Sequence, residues 1–282
     1  MVAKSTKPGF TIIEVTLFFA VTGLLFVTLM AGIGVNVRRE RYNDSVNNMR
    51  EILQDQYSQA ANTQNSHAKQ QCIKGSNNTV QIDTSSTSGK EDTGRSPACD
   101  VYGRVISFPA NSTTFTAYNV LGTDYSTVSN TSNDNISVLS SLYLSRDTAS
   151  KQSLELTWGA WPSRAVSTAN EGKFSNNPFS DDGPNTILIV RSPLSGSLMT
   201  FIGHQDLGTQ SSSDPINLSS LINTTASQQA LNICVMSSDI FSGRARAINV
   251  AANASNANGV SIAPLDAAVT IGNTVVPRVE CS

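Results

Sequence analysis

The feature that most constrains this chain is an apolar run near its N-terminus, from Phe10 to Val37, that contains a single charged residue, Glu14. As an α-helix the run would be about 42 Å long, which exceeds the roughly 30 Å hydrocarbon core of a bilayer. A short basic leader with Lys4 and Lys7 precedes it. The pattern therefore predicts a helix that is long enough to span a membrane once, with tilt.

The order of these parts differs from that of an ordinary signal peptide, in which the apolar stretch lies before the cleavage site and is removed with it. Here Gly9 stands before the apolar stretch, Phe10 opens it, and Glu14 is its fifth residue. This arrangement resembles the type IV prepilins and the pseudopilins of type II secretion, over roughly the first sixty residues. The resemblance implies that a prepilin peptidase cuts after Gly9 and methylates the new amine of Phe10, so that residues 1–9 are a leader.

The carboxylate of Glu14 needs a physical explanation, because an acid in an apolar helix costs roughly 2.5–3.5 kcal/mol by insertion scales. The run itself contains no cation, but cleavage would place the amine of Phe10 one helical turn away. The resemblance implies that Glu14 of an arriving subunit neutralises that amine in a subunit already in the filament. The alternative is that Glu14 is interfacial and snorkels to the headgroups.

Beyond the apolar run, apolar residues recur every three or four positions, which predicts an amphipathic second half of the helix. These residues are Tyr42, Val46, Met49, Leu53, Tyr57 and Ala60. We predict one continuous helix from Phe10 to about Asn62, on the order of 80 Å long. Residues 10–37 would lie in the membrane or the filament core, and residues 38–66 would form the amphipathic half under a head. A separate juxtamembrane helix is the alternative.

From Cys72 onward the apolar pattern becomes that of strands, which predicts a mostly β head over residues 72–282. The predicted strands are residues 101–108, 113–120, 138–144, 186–191, 198–202, 231–235 and 246–251, and the longest predicted loops are residues 75–94 and 165–184. The predicted fold class is α+β, with the long helix packed on the head as in pilins. Residues 243–250 resemble, more weakly, the C-terminal half of H-type minor pseudopilins, and no residue role follows from that.

The four cysteines form an even set without a C-x-x-C motif, which favours disulfides in an oxidising compartment over zinc or redox sites. Three pairings are possible, of which the local one joins Cys72 to Cys99 and Cys234 to Cys281. Free buried thiols are the alternative. Basic residues flank both ends of the apolar run, so the positive-inside rule does not choose an orientation. The resemblance implies a cytoplasmic leader and an extracytoplasmic head.

Charge and motifs argue against several other function classes. The net charge is -2, and loss of Lys4 and Lys7 with the leader would make it -4, so nucleic-acid binding is not expected. His67 and His204 are the two histidines of the sequence, at positions that suggest neither a metal pair nor a triad. Because no nucleophile elbow or phosphate loop occurs either, we expect no enzymatic activity and no cofactor.

Two further segments have less specific patterns. An oxygen-rich loop could hold calcium, as loops of some pseudopilin heads do, but its spacing matches no calcium motif and is also ordinary turn chemistry. Its residues are Asn176, Asn177, Asp181, Asp182 and Gly183. We expect no metal there. Trp158, Trp161 and Pro162 form an apolar cluster, for which we predict packing in the core in preference to an exposed contact surface.

The resemblance and these patterns together predict a structural subunit, a minor pilin or pseudopilin, of a type IV pilus-like or type II secretion-like filament. The expected partners are the prepilin peptidase, other subunits of the filament, an inner-membrane assembly platform and the lipid bilayer. The expected location is the cytoplasmic membrane and then a pilus at the cell surface or the periplasm. The alternatives are an anchored adhesin or binding head that does not polymerise, and a membrane-anchored hydrolase.

Overall fold

The first element of the structure is a single long helix. In the computed structural model, α1 runs without a break over Ile12–Ala61, about 75 Å at 1.5 Å per residue. Asn62 is its C-cap, and the N–H of that residue donates to the carbonyl of Ser58 over 2.9 Å. The prediction of one continuous helix is confirmed, and the alternative of a separate juxtamembrane helix is wrong. The segment between the two halves is rich in arginine and glutamate, which are good helix formers.

The structure describes most of the chain. The described residues are 9, 11–62, 72–74, 80–82, 100–109, 112–123, 133–164, 166–167, 185–203, 207, 216–222, 231–237, 246–251, 254–263, 269–271, 274–276 and 279–281.

Short strands and two short helices follow α1 in this part of the chain. The strands are β1 (Cys72–Lys74), β2 (Val80–Ile82), β3 (Asp100–Phe108), β4 (Thr114–Gly122), β5 (Ser145–Arg146), β6 (Gln152–Glu155), β7 (Trp161–Arg164), β8 (Val166–Ser167), β9 (Asn185–Arg191), β10 (Leu198–Gly203), β11 (Leu231–Met236), β12 (Arg246–Val250), β13 (Val260–Ile262), β14 (Val269–Ile271), β15 (Thr274–Val276) and β16 (Val279–Glu280). The helices are α2 (Asn135–Ser141) and α3 (Ser219–Ile222).

Antiparallel pairing joins ten of these strands into two main sheets, and the other six form the two-stranded sheets β1-β2, β14-β15 and β16-β8. In the larger sheet the order is β10-β9-β3-β4, and both β5 and β6 pair with the outer edge of β4. The smaller sheet has the order β13-β12-β11-β7. At an irregularity in β3, a Cβ on Gly103 would lie 2.0 Å from the carbonyl oxygen of Ile189, so only glycine allows the close approach of β9.

The larger sheet is covered on both faces, because alternate residues of its strands enter two different cores. On β9, Ile187 and Ile189 belong to the core under α1, whereas Leu188 and Val190 belong to a second core that includes residues of α2 and α3. The predicted amphipathic stripe of α1 is confirmed in the first core. Its buried members, Val46, Met49, Leu53, Tyr57 and Ala60, are at most 1% exposed.

One predicted strand is wrong, because residues 138–144 contain the end of α2 and the turn after it. The carboxylate of Asp134 accepts hydrogen bonds from the backbone N–H and the hydroxyl of Ser137, at 3.0 and 2.9 Å. This N-cap starts a helix, and Val138 and Leu139 then pack into the core. The other six predicted strands match β3, β4, β9, β10, β11 and β12 to within two residues, and the α+β fold class is confirmed. The short strands β2 and β8 lie inside the predicted loops.

Candidate membrane-anchoring and assembly site

The N-terminal half of α1 presents its apolar surface outward. The large apolar side chains that the structure describes between Ile12 and Val37 are 40–83% exposed. This helix is long and apolar enough to cross a membrane. A single-pass anchor explains an apolar surface of this size, since soluble monomeric proteins rarely expose one.

The polar side chains within this half form hydrogen bonds to its own backbone. The hydroxyl of Thr16 donates to the carbonyl of Ile13 over 3.0 Å. Thr22 and Thr28 do the same to carbonyls three or four residues earlier, at 2.7–3.2 Å. Because lipid offers no hydrogen-bond partner, polar groups in a membrane span must be satisfied internally. The threonine hydroxyls therefore add little to the cost of inserting the helix.

The N-terminus of α1 is closed by a capping box between Thr11 and Glu14. The backbone N–H of Glu14 donates to the Thr11 hydroxyl oxygen over 3.3 Å, and the N–H of Thr11 donates to Oε2 of Glu14 over 2.9 Å. The sequence reasoning missed Thr11, although T-x-x-E before an apolar run is the signature of this cap. Gly9 is exposed beside it, and Phe10 lies outside the described residues.

This capping box gives Glu14 a local role that the sequence interpretation did not include. The backbone N–H and the hydroxyl of Thr11 both donate to Oε2 of the carboxylate. Oε1 makes no hydrogen bond within the part of the chain that the structure describes, and the residue is exposed. The carboxylate can therefore cap its own helix with one oxygen while the other receives a cation from another molecule. Whether it does so for an amine of a second subunit stays a prediction.

At Tyr42, α1 passes from its exposed half to the half that packs on the head. Tyr42 lies at the end of the β11–β12 pair. The Tyr42 hydroxyl donates to the carbonyl of Val235 over 3.0 Å and accepts the backbone N–H of Arg246. These two residues are paired in the sheet. Burial raises the pKa of Tyr42, and the hydrogen bond and charge of Arg246 oppose that shift. The phenol thus fixes the helix to the smaller sheet where it leaves the head.

A second polar contact with α1 lies nearer the C-terminus of the helix. There Arg104 of β3 forms a buried hydrogen-bond network with α1. Its guanidinium donates to Gln56 of α1, Asn119 of β4 and Gln152 of β6 over 2.7–2.9 Å. Burial lowers the pKa of Arg104, and the charge of Asp55 is the larger of two that oppose the shift. Because the planar guanidinium directs several N–H groups at once, one side chain joins the helix to two strands.

Trp158 does not pack in the core, so that prediction is wrong for this residue. Trp158 and Gly159 lie in a turn with φ of +60° and +66°, a left-handed conformation that is uncommon for a bulky residue. The turn directs the indole outward, and Trp158 is 54% exposed. The two other members of the predicted cluster differ from it, because Trp161 is half-buried and Pro162 is buried in β7.

Polar contacts with α1 hold this turn in place. The hydroxyl of Ser45 donates to the carbonyl of Thr157 over 2.8 Å. The indole N–H of Trp158 donates to Oδ2 of Asp44 over 2.8 Å, and the guanidinium of Arg41 lies 4.6 Å from the ring centroid. Hydrogen bonding and a cation–π contact therefore fix an exposed aromatic side chain beside the helix exit.

The remaining predicted site residues have different outcomes. A disulfide joins Cys234 to Cys281, whose Cα atoms are 5.6 Å apart, in agreement with the local pairing. The other predicted pair, Cys72 with Cys99, stays a prediction because Cys99 lies outside the described residues. The calcium-loop candidates Asn176, Asn177, Asp181, Asp182 and Gly183, and the histidines His67 and His204, also lie outside them. The described residues contain no group of three or more His, Cys, Asp or Glu side chains that could hold a metal.

Comparison with known proteins gives no relative. No protein-family model matches the sequence, and no curated protein and no solved structure is significantly similar to it. Function must therefore be argued from the helix, the head and the contacts between them.

Proposed function

We propose that this protein is a pilin-like structural subunit that is anchored by α1 in the cytoplasmic membrane and then assembled through α1 into a filament. The N-terminal segment from Gly9 to Glu14 supports this role because its order resembles that of prepilins. The layout of one long apolar helix followed by a β-rich head is compatible with it. The role is non-catalytic, and the partners are the prepilin peptidase, other subunits, an assembly platform and lipid.

The observation that carries the proposal is the change of environment within one unbroken helix. The described large apolar side chains up to Val37 are exposed, whereas from Val46 onward the apolar stripe is buried in the head. Because the helix is unbroken, the exposed half and the half packed in the head form one continuous element. A filament built from a helical core with heads outside needs this division.

The exposure of Gly9 supports the processing step. Gly9 is exposed, and a Cβ placed on it would meet no atom within 4 Å. In the proposed function a peptidase cuts the bond after Gly9. Cleavage there would create a positively charged amine on Phe10, and Glu14 supplies the opposite charge for assembly. Opposite charges attract each other more strongly in a low-dielectric setting than in water.

The capping box permits a sharper test of this assembly role than removal of the whole side chain. Glu14→Gln keeps a side chain that can cap the helix but removes the charge, because glutamine also occurs at this position of capping boxes. Thr11→Ala removes the hydroxyl and keeps the charge. We expect Glu14→Gln to reduce the protein in sheared extracellular filaments sharply, and Thr11→Ala to leave it near wild type. The readout is the ratio of filament protein to membrane protein.

The opposite outcome would favour an anchored head that does not polymerise. If Glu14→Gln leaves the ratio of filament to membrane protein unchanged, the charge does not guide assembly. If Thr11→Ala fails while Glu14→Gln assembles normally, and both insert into the membrane, the helix cap and not the charge limits assembly.

A further inference from the structure

Trp158 extends from the head toward the apolar half of α1. The backbone of its turn is bonded to Ser45, while the ring lies against Asp44, the preceding residue, and Arg41, which is one turn closer to the membrane-spanning half. An open groove beside the ring continues in the same direction. Its lining residues are Asn36, Val37, Glu40, Arg41, Asp44 and Trp158.

The position of the indole along the helix matches the depth of the headgroup layer. Val37 is the last residue of the apolar run, and Arg41, whose guanidinium packs against the indole ring, lies about 6 Å beyond it along the helix axis. With a hydrocarbon core of about 30 Å in a bilayer of about 40–45 Å, each headgroup layer is roughly 5–7 Å thick. Tryptophan is enriched at that level, since its ring has an apolar body and a polar N–H.

The charges at the same level favour a phospholipid surface. Arg38, Arg39 and Arg41 are exposed, against the carboxylates of Glu40 and Asp44. Three arginines thus stand against two carboxylates, an excess of one positive charge, and basic residues next to a membrane span are attracted to anionic lipids.

We propose that Trp158 and the arginines Arg38, Arg39 and Arg41 form a headgroup-binding collar that seats the head directly on the phospholipid surface before assembly. The collar is continuous with the exposed half of α1, so membrane contact does not end where the helix leaves the hydrocarbon. This inference rests on the membrane insertion in the proposed function. It adds that the head touches the bilayer through Trp158, which fixes the height and tilt of the head.

The test uses the full chain reconstituted in vesicles of phosphatidylcholine, alone or in equal mixture with phosphatidylglycerol. The sequence contains two tryptophans, so Trp161→Phe leaves Trp158 as the sole tryptophan, which is excited selectively over the tyrosines at long wavelength. The emission spectrum of the wild type minus that of Trp158→Phe gives the signal of the same indole in a chain that keeps Trp161. Bromine is placed on the lipid either near the headgroup end or near the methyl end of the acyl chain.

We expect quenching of Trp158 to be at least about three-fold stronger from the headgroup-end bromine. We also expect the emission of Trp158 to shift further to shorter wavelength when phosphatidylglycerol is present. The variant Arg38→Gln/Arg39→Gln should lose this additional shift. Equal or absent quenching by both lipids would overturn the proposal. An emission shift that depends on the protein-to-lipid ratio, without quenching by bromine, would also overturn it. That result would show that a second copy of the chain contacts Trp158.

A second reporter separates failure of the collar from failure of the anchor. Leu25 lies in the middle of the exposed apolar half, so Leu25→Trp in a Trp158→Phe/Trp161→Phe background reports insertion. If this reporter is quenched best by the methyl-end bromine while Trp158 is not quenched, the anchor stands and the collar is wrong. If neither is quenched, the membrane anchoring in the proposed function is wrong as well.

Discussion

The hydroxyl oxygen of Tyr57 on α1 lies 2.6 Å from that of Thr200 on β10, inside the core. The Thr200 hydroxyl also donates to the carbonyl of Ala254 over 3.2 Å. The helix is thus joined through one buried hydroxyl chain to the larger sheet and to the segment before β13. With the contacts of Tyr42 and Arg104, this makes the C-terminal half of α1 an integral part of the head.

Tyr57→Phe tests this link. The variant should lower the free energy of unfolding of the head by about 1 kcal/mol at neutral pH, since one buried hydrogen bond is lost. Denaturant unfolding followed by circular dichroism measures it in detergent. Thr200→Val in the same assay completes a double-mutant cycle, and additive losses in the double variant would show that the two hydroxyls are not coupled.

The same residue predicts a loss of stability at alkaline pH. Burial raises the pKa of Tyr57 from 10.0 to about 12. Its contribution is therefore complete below pH 10.0 and is lost as the pH rises toward about 12, because the folded protein disfavours the phenolate. The loss should be about 2–3 kcal/mol. Tyr57→Phe has no phenol to ionise, so the difference in unfolding free energy between it and the wild type should shrink or reverse over that pH interval. A difference that stays constant with pH would contradict the raised pKa of Tyr57.

Substitution of Arg104 should lower the free energy of unfolding, whichever side chain replaces it. Arg104→Met leaves the acceptors of Gln56, Asn119 and Gln152 without their donor in a buried site, so we expect a loss of roughly 3–5 kcal/mol. Arg104→Lys should recover only part of it, because one ammonium cannot reproduce the planar geometry. The control is Lys151→Met, an exposed position that should change the unfolding free energy by less than about 0.5 kcal/mol. Similar values for Arg104→Met and Lys151→Met would contradict the network.

The disulfide between Cys234 and Cys281 should stabilise the C-terminal end. It closes a loop with a sequence separation of 47, which corresponds to about 4 kcal/mol in the chain-entropy model. The double variant Cys234→Ser/Cys281→Ser should lose a large part of that. Peptide mapping without reduction should find the two cysteines linked in the wild type, and alkylation of both thiols in native protein would rule the bond out.

Gly9→Val should leave the leader attached, because the peptidase must accept a small residue before the cut. The fold should be unaffected, since a side chain at this position meets no neighbouring atom within 4 Å. Gly9→Ala is the matched control and should be processed more than Gly9→Val. Mass spectrometry of membrane protein gives the result, and a normal mature form of Gly9→Val would contradict the assigned cleavage site.

The hydrophobic pattern predicted the elements that are buried on one or both faces. The stripe from Tyr42 to Ala60 repeats at helical spacing, and β9 and β11 contain the apolar runs 187–190 and 233–236. Both signals are local and strong, so the long helix and six strands could be predicted from the sequence. The prediction of a strand over residues 138–144 rests on the apolar run alone. Asp134, which precedes that run, is a recognisable N-cap and indicates a helix.

The features that depend on long-range geometry could not be predicted. The partner of Arg104 on α1 is 48 residues away in sequence, so no local pattern joins them. Trp158 is exposed because its turn has a positive φ, and an apolar residue near Trp161 gives no sign of that conformation. Thr11 is a different case, since the spacing of the capping box was visible in the sequence.

The proposed function requires that this chain is processed and then built into a filament. The most direct measurement is intact-mass spectrometry of protein recovered from sheared filaments. The proposal predicts that this chain is present and begins at Phe10 with a methylated amine. Its absence from the filaments, with the full-length chain from Met1 abundant in the membrane, would contradict the proposal.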